Sequence, residues 1–177
     1  MYHPEVKITK LTPKEEILKL GEIDCGECSH CCKFEGAYML KDDIKRLSVF
    51  LGISEEKLKK EYLKKIKKFN TEIYRIKSEE IGKPYGPCLF YDEDEKCLVH
   101  DAKPFYCKIG TCKEIGSQIV DWFHLNYLVN KDDSESVREW ATKVKFRPTI
   151  PGGHIQEIVP DEKKKQKNFV KRDLESF

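Results

Sequence analysis

The chain has 177 residues, 36% of them charged, yet its formal net charge is only +2. That length suits one domain able to bury a core without cross-links, and the near-balance of charge makes nucleic acid an unlikely partner. No apolar run is long enough to span a membrane, and the polar start Met1 to Lys10 is unlike a secretory signal, so a cytoplasmic protein with no membrane partner is expected.

Thr12-Pro13-Lys14-Glu15 predicts a helix start, with Thr12 as cap, Pro13 in the first turn and Gly21 as the stop. Leu40 to Leu51 predicts a second helix, carrying Ile44, Leu47, Phe50 and Leu51 at helical spacing and ending at Gly52. Ser54 predicts the cap of a third helix running to about Phe69, with its lysines as a solvated face. Thr71 to Lys77 predicts a short strand, with Ile73 and Arg75 on one face and Tyr74 and Ile76 on the other. Gly82 to Pro87 is rich in turn residues. Leu89 to Val99 predicts a hairpin with an acidic tip, Asp92 to Glu95, which brings Cys88 and Cys97 together at its open end.

Lys103 to Cys107 opens a short turn or helix, and a long amphipathic helix is expected over about Lys113 to Asn130. Ser136-Val137-Arg138-Glu139 reads as a capping box for a short helix through Lys143. Val144 to Ile150 and Ile155 to Val159 read as strands around the Pro151-Gly152-Gly153 turn. Residues 1–160 form the expected domain, and 161–177 a charged tail. The fold class expected is α+β: one helix-rich domain with short strands around a cysteine site.

The eight cysteines fall into two blocks. Cys25, Cys28, Cys31 and Cys32 form the first; Cys88, Cys97, Cys107 and Cys112 form the second. A hydrophobic core has no reason to gather cysteine in this way. A metal does, because thiolates must converge on one point. In a reducing cytosol, clustered thiols are more often ligands than disulfides. Buried thiols or disulfides are the bland alternative, and the Lys- and Glu-rich composition keeps it open, since proteins from hot environments use intracellular disulfides.

Cys25, Cys28 and Cys31 reproduce the first three spacings of a bacterial ferredoxin motif. The fourth ligand would fall at Glu35, so the motif is incomplete, and a remote cysteine of the second block could supply the missing ligand. Cys31 and Cys32 are neighbours and point apart, so they serve two centres, or one of them is a spare thiol. Eight thiols divide into two four-cysteine sites, and a single site with spare cysteines fits as well. Lys33, Lys96, Lys108 and Lys113 adjoin cysteines and can offset thiolate charge, or are simply surface lysines. His30 and His100 also adjoin cysteines and are candidate ligands; His3, His124 and His154 stand apart from them. There is no Gly-rich nucleotide loop, His-Glu-x-x-His or nucleophile elbow.

The run Cys25-x-x-Cys28-x-x-Cys31-Cys32 resembles the signature of the YkgJ-like cysteine-cluster family, also written CxxCxxCC and described as zinc- or iron-chelating. The likeness continues through Tyr38 to Leu47 and Leu51-Gly52-Ile53, then Pro87-Cys88-Leu89-Phe90, Cys97 to His100, and Lys103 to Lys108. It covers about Cys25 to Cys112. Two departures stand out: Lys103-Pro104 replaces the family's usual Arg-Pro, and Ile109-Gly110-Thr111-Cys112 replaces an aromatic-rich stretch.

The resemblance implies metal binding by Cys25, Cys28, Cys31, Cys32, Cys88, Cys97 and Cys107, with Cys112 as an eighth candidate. The cofactor is an iron–sulfur cluster, such as 4Fe-4S, or a zinc ion. Relatives include the flagellin lysine N-methylases, which raises a cluster-dependent enzyme, in oxidoreduction or protein methylation, as one alternative. A zinc-stapled interaction module is the other. A protein partner or substrate is expected in either case, and neither is named by the residues.

Overall fold

The computed structural model describes residues 7–21, 29–79 and 85–159. The expected tail, 161–177, and the first half of the Gly82 to Pro87 turn lie outside the described residues. Among the described residues, helices dominate and the strands are short, which makes the fold α+β.

The first helix, α1, is Lys14–Gly21. It starts after Pro13, because the Thr12 hydroxyl is taken up locally, accepting a hydrogen bond from the Thr9 amide at 2.9 Å. Next come β1 (Tyr38–Met39) and α2 (Lys41–Leu51). Gly52 ends α2 in the left-handed conformation, φ 65°, where glycine carries no Cβ penalty. Ser54 caps α3, accepting from the Lys57 amide at 3.1 Å.

Helix α3 is only Glu55–Glu61, and so the expected helix to Phe69 is corrected. Leu63–Lys68 is a strand, β2, paired antiparallel with β3 (Thr71–Ile76). Phe69 and Asn70 form the tight turn between them, both at positive φ (48° and 54°), which is the geometry of a two-residue hairpin turn. Leu63 and Ile66 are three residues apart, a spacing that suits a helix as well as opposite faces of a strand. Pairing with β3 decides between them, placing Leu63 beside Ile76 and Ile66 beside Ile73.

The sheet order is β1-β3-β2, and both its faces are covered. Ile73, with Ile66 and Tyr38, packs into one core; Ile76, Leu63 and Met39 pack into another. The first core holds α1 residue Ile17 and the aromatics of the C-terminal helices. The second holds Leu47 and Leu58, both fully buried and each contributing on the order of 1.5–3 kcal/mol. After the sheet come β4 (Tyr91–Asp92) and β5 (Lys96–Cys97), the expected hairpin, with the Asp92 carboxylate accepting from the Asp94 and Glu95 amides at its tip. Helix α4 is Phe105–Ile109 and α5 is Gly116–Tyr127.

The last third needs two corrections. Helix α6 runs Ser134–Phe146 and is capped by Asp133, not by Ser136. The Ser136 hydroxyl instead accepts from the Asn130 amide at 2.9 Å and closes the preceding turn. The expected strands around Pro151 are absent among the described residues. Val144 belongs to α6, and Ile155–Ile158 is a short helix, α7. The Glu157 carboxylate accepts from the Gly152 and His154 amides, which favours a turn of helix over a hairpin. Trp140 locks this segment down by donating to the Gly153 carbonyl at 2.8 Å.

His124 on α5 lies between Phe69 and Trp140, with its Nδ1 3.5 Å from the Lys143 ammonium. Lys143 is ion-paired with the buried Asp121. Burial, then the positive charges of Lys143, Lys68 and Arg147, push the His124 imidazole down to about 3. Unfolded, it takes up its proton near pH 6.5. The unfolded chain therefore binds the extra proton between those values, and stability falls as pH drops from about 6.5 toward 3, by up to about 1.4 kcal/mol per pH unit. The expected result is that His124→Phe flattens this slope in denaturant titrations across that range; an unchanged slope would place the acid sensitivity elsewhere.

Candidate metal centre

The first cysteine block enters the described residues at Ser29. Cys31 and Cys32 form a single 3-10 turn, Cys31–Lys33, with Cys31 exposed and Cys32 half-buried. Cys25 and Cys28 lie outside the described residues. The second block is laid directly against this turn. The Cys88 amide donates to the Cys32 carbonyl at 2.7 Å, and the Gly86 amide to the Phe34 carbonyl at 3.1 Å. Cys88 also bridges Ser78, just past β3, so that it sits between the first block and the sheet.

The hairpin delivers the next thiol. Tyr91 pairs with Cys97 across β4 and β5, and the Tyr91 amide donates to the Cys88 carbonyl at 2.8 Å. Cys88 and Cys97 are thereby neighbours, as the hairpin reading requires. Cys107 comes from α4, whose start is fixed from a distance: the Phe105 amide donates to the buried Asp43 carboxylate at 3.0 Å. Arg46 donates both to that carboxylate and to the Lys103 carbonyl. Cys88, Cys97 and Cys107 all pack on the second core.

Electrostatics show which thiols share a field. Burial pushes the Cys107 thiol well above the ordinary range, and Cys88, Cys32 and Cys97 push it further; Lys103 opposes them. Cys88 is also raised by burial and by Cys97, against a backbone hydrogen bond from Phe90 and the charge of Arg75. Cys88, Cys97 and Cys107 pack on the second core, and the backbone of Cys32 runs alongside Cys88. Cys31 and Cys107 both raise Tyr106, and Cys31 and Cys112 are exposed.

Among the described residues, no group of three or more Cys, His, Asp or Glu side chains is set closely enough to hold an ion. The grouped thiols nevertheless fit a soft or borderline metal by chemistry. They are half-buried sulfur donors, mutually repulsive when ionised, a repulsion that a bound cation reverses. His30 lies exposed against Phe34, with ring centroids 4.9 Å apart, and His100 is exposed in a 3-10 turn. His154 is exposed, His124 is in the distant first core, and His3 lies outside the described residues.

Of the lysines beside cysteines, Lys33 lies over the Tyr91 ring and Lys96 donates to the Glu93 carbonyl. Two residues escaped the reading of the sequence. Asp43 looks like an ordinary acid of a helix first turn, and Arg75 like one residue of an alternating strand. Neither position carries a local signal that Asp43 binds the Phe105 amide, or Arg75 the Gly36 carbonyl, far away in the chain.

No helix of the described residues is long and apolar enough to cross a membrane. No curated protein and no solved structure matches the chain. Residues 24–134 match the model of the CxxCxxCC family, described as a "putative zinc- or iron-chelating domain". That span takes in both cysteine blocks and more than half of the sequence, so the chain belongs to the CxxCxxCC family.

Proposed function

We infer that the protein is a thiolate metal-binding protein in which Cys32, Cys88, Cys97 and Cys107 hold one centre. Cys25, Cys28 and Cys31 complete the motif's sulfur set, and Cys112 stands at its edge. The observation that carries this reading is the meeting of separate chain segments: Cys88, Cys97 and Cys107 pack on one core, and the Cys88 amide donates to the Cys32 carbonyl at 2.7 Å. Isolated core cysteines have no such company. A zinc ion takes four thiolates, and a 4Fe-4S cluster takes four as well.

Zinc closed by four thiolates would staple the hairpin, α4 and the first block into one unit; a cluster would add electron transfer. The protein's own part is the same for both. Its hairpin and α4 present sulfur, and its second core keeps water from one side of the site. The test is elemental analysis with a visible spectrum on protein purified without oxygen. Near-stoichiometric zinc without colour supports the staple. Iron with acid-labile sulfide and a brown absorption supports a cluster. Metal-free protein that neither ion loads after reduction would refute the reading.

A further inference from the structure

Strand β2 lies at one edge of the β1-β3-β2 sheet, and among the described residues no further strand pairs with its other side. Its register with β3 decides which backbone groups are left over. Phe69 and Asn70 make a two-residue turn, so Lys68 and Thr71 exchange both ladder hydrogen bonds. Bonded pairs then alternate along the hairpin, through Ile66 with Ile73 to Lys64 with Arg75. The amides and carbonyls of Lys65 and Lys67 therefore point away from β3, and among the described residues no backbone group meets them. A strand laid alongside would satisfy them.

Charge and shape narrow the occupant. Strand β2 carries Lys64, Lys65, Lys67 and Lys68, and β3 sets one carboxylate, Glu72, beside them. Glu72 pairs with Lys65 at 2.7 Å, but both side chains are more than half exposed, so water screens the pair. A second copy of β2 would bring lysines against lysines, which is how edge lysines discourage self-pairing. The same charges favour a strand rich in Asp or Glu. Beyond Lys68 the edge runs into a cleft of about 730 Å³ between the turn and one stripe of α6. Lys68, Phe69, Arg138, Thr142, Lys143 and Phe146 line it, and no β3 residue does, so it opens on the β2 side of the turn. Phe146 is 81% exposed there. An apolar side chain of an incoming segment would cover it.

We propose that the outer edge of β2 is a docking site for an acidic, extended segment of another protein, which adds to the sheet as a fourth strand and sets an apolar side chain in the cleft at the turn. Main-chain hydrogen bonds to Lys65 and Lys67 fix the register, and the lysines select the charge. None of the residues involved is a cysteine, and the inference does not depend on the metal centre.

The test is fluorescence anisotropy with the full chain and labelled, end-blocked peptides: alternating Glu and Val, alternating Lys and Val, and the Glu–Val peptide with every amide N-methylated. The Glu–Val peptide is expected to bind, its methylated form about tenfold more weakly or worse, and the Lys–Val peptide not at all. In the protein, Lys67→Ala removes the side-chain charge and keeps the outward N–H. Lys67→Pro removes both, and proline is tolerated on an edge where the N–H faces away from the sheet, so pairing with β3 survives. Lys67→Pro is therefore expected to weaken the Glu–Val peptide about tenfold beyond Lys67→Ala. A Phe added at one end or the other of that peptide is expected to tighten binding, and Phe146→Ser to cancel the gain; no gain at either end overturns the part given to the cleft. Equal binding of the methylated peptide, or equal affinity in the two Lys67 variants, shows contact by charge alone and overturns the added strand. A nucleic-acid duplex or an anionic vesicle that binds more tightly than the Glu–Val peptide overturns the choice of partner. Binding to none of these probes leaves the lysines as guards of the edge and overturns the proposal.

Discussion

Replacing Asp43 by alanine is expected to cost about 3 kcal/mol or more, because it strips a buried carboxylate from the groups arranged around it. Asp43 is 1% exposed. One of its oxygens accepts from the Arg46 guanidinium at 2.7 Å and from the Phe105 amide at 3.0 Å; the other accepts from the Leu40 amide at 3.1 Å. A single side chain thus closes the start of α2 and fixes the start of α4. In the alanine variant the Phe105 amide, at a buried residue, is left without its acceptor, and Arg46 loses its partner while still bound to the Lys103 carbonyl. Arg46 is 39% exposed and recovers water, which limits the loss on that side. Asp43→Asn keeps an acceptor oxygen and is expected to lose less than half as much. Chemical denaturation of both variants measures this directly. Equal stability of wild type and Asp43→Ala would show that the junction carries no net energy. A loss of metal in Asp43→Ala beyond that in Asp43→Asn would show that the position of α4, and with it Cys107, depends on this carboxylate.

The pairing of α2 with α4 through Asp43 also marks where the sequence could be read and where it could not. Capping at Ser54, the stop at Gly52 and the hairpin around Asp92 are local events, each set by a few adjacent residues, and they stand in the structure as expected. The cysteine blocks were legible because their spacing favours metal ligation over packing. The lysine-rich stretch after α3 was not. Its Leu63 and Ile66 fit either period, and only pairing with β3, across the Phe69-Asn70 turn, selects a strand. The Ile155 segment failed in the opposite direction: the Pro151-Gly152-Gly153 turn suggested strands on either side, and the Glu157 carboxylate caps a helix there. Arg75 and Asp43 act over separations that no local pattern encodes. The run of Cys88 alongside Cys32 likewise joins residues far apart in the chain, which no local pattern announces.

Replacing Cys107 by alanine is expected to abolish metal loading and to remove on the order of 4 kcal/mol of stability from the loaded protein, the linkage expected at a thousandfold excess of ion over its dissociation constant. Burial and its neighbours raise the Cys107 thiol well above its ordinary range. Without metal it is a protonated, core-packed side chain, and alanine there removes only a small sulfur contact, on the order of 1 kcal/mol. With metal it is a ligand, and alanine opens the centre. The comparison that decides is therefore made twice, with ion and with chelator. The gap between wild type and variant should be large in the first case and shrink to about 1 kcal/mol in the second. A gap of the same size in both would make Cys107 a packing residue only, and would count against the four-thiol centre. The pH dependence gives a separate check. Burial raises the Cys88 and Cys107 thiols, so metal must displace protons to bind, and affinity is expected to rise as pH rises toward their titration range. In Cys107→Ala one of those protons is gone, so any residual binding should respond less steeply to pH. Titrating ion at several pH values, and measuring proton release in weak buffer, distinguishes a buried thiol centre from adventitious binding at the exposed Cys31 and Cys112.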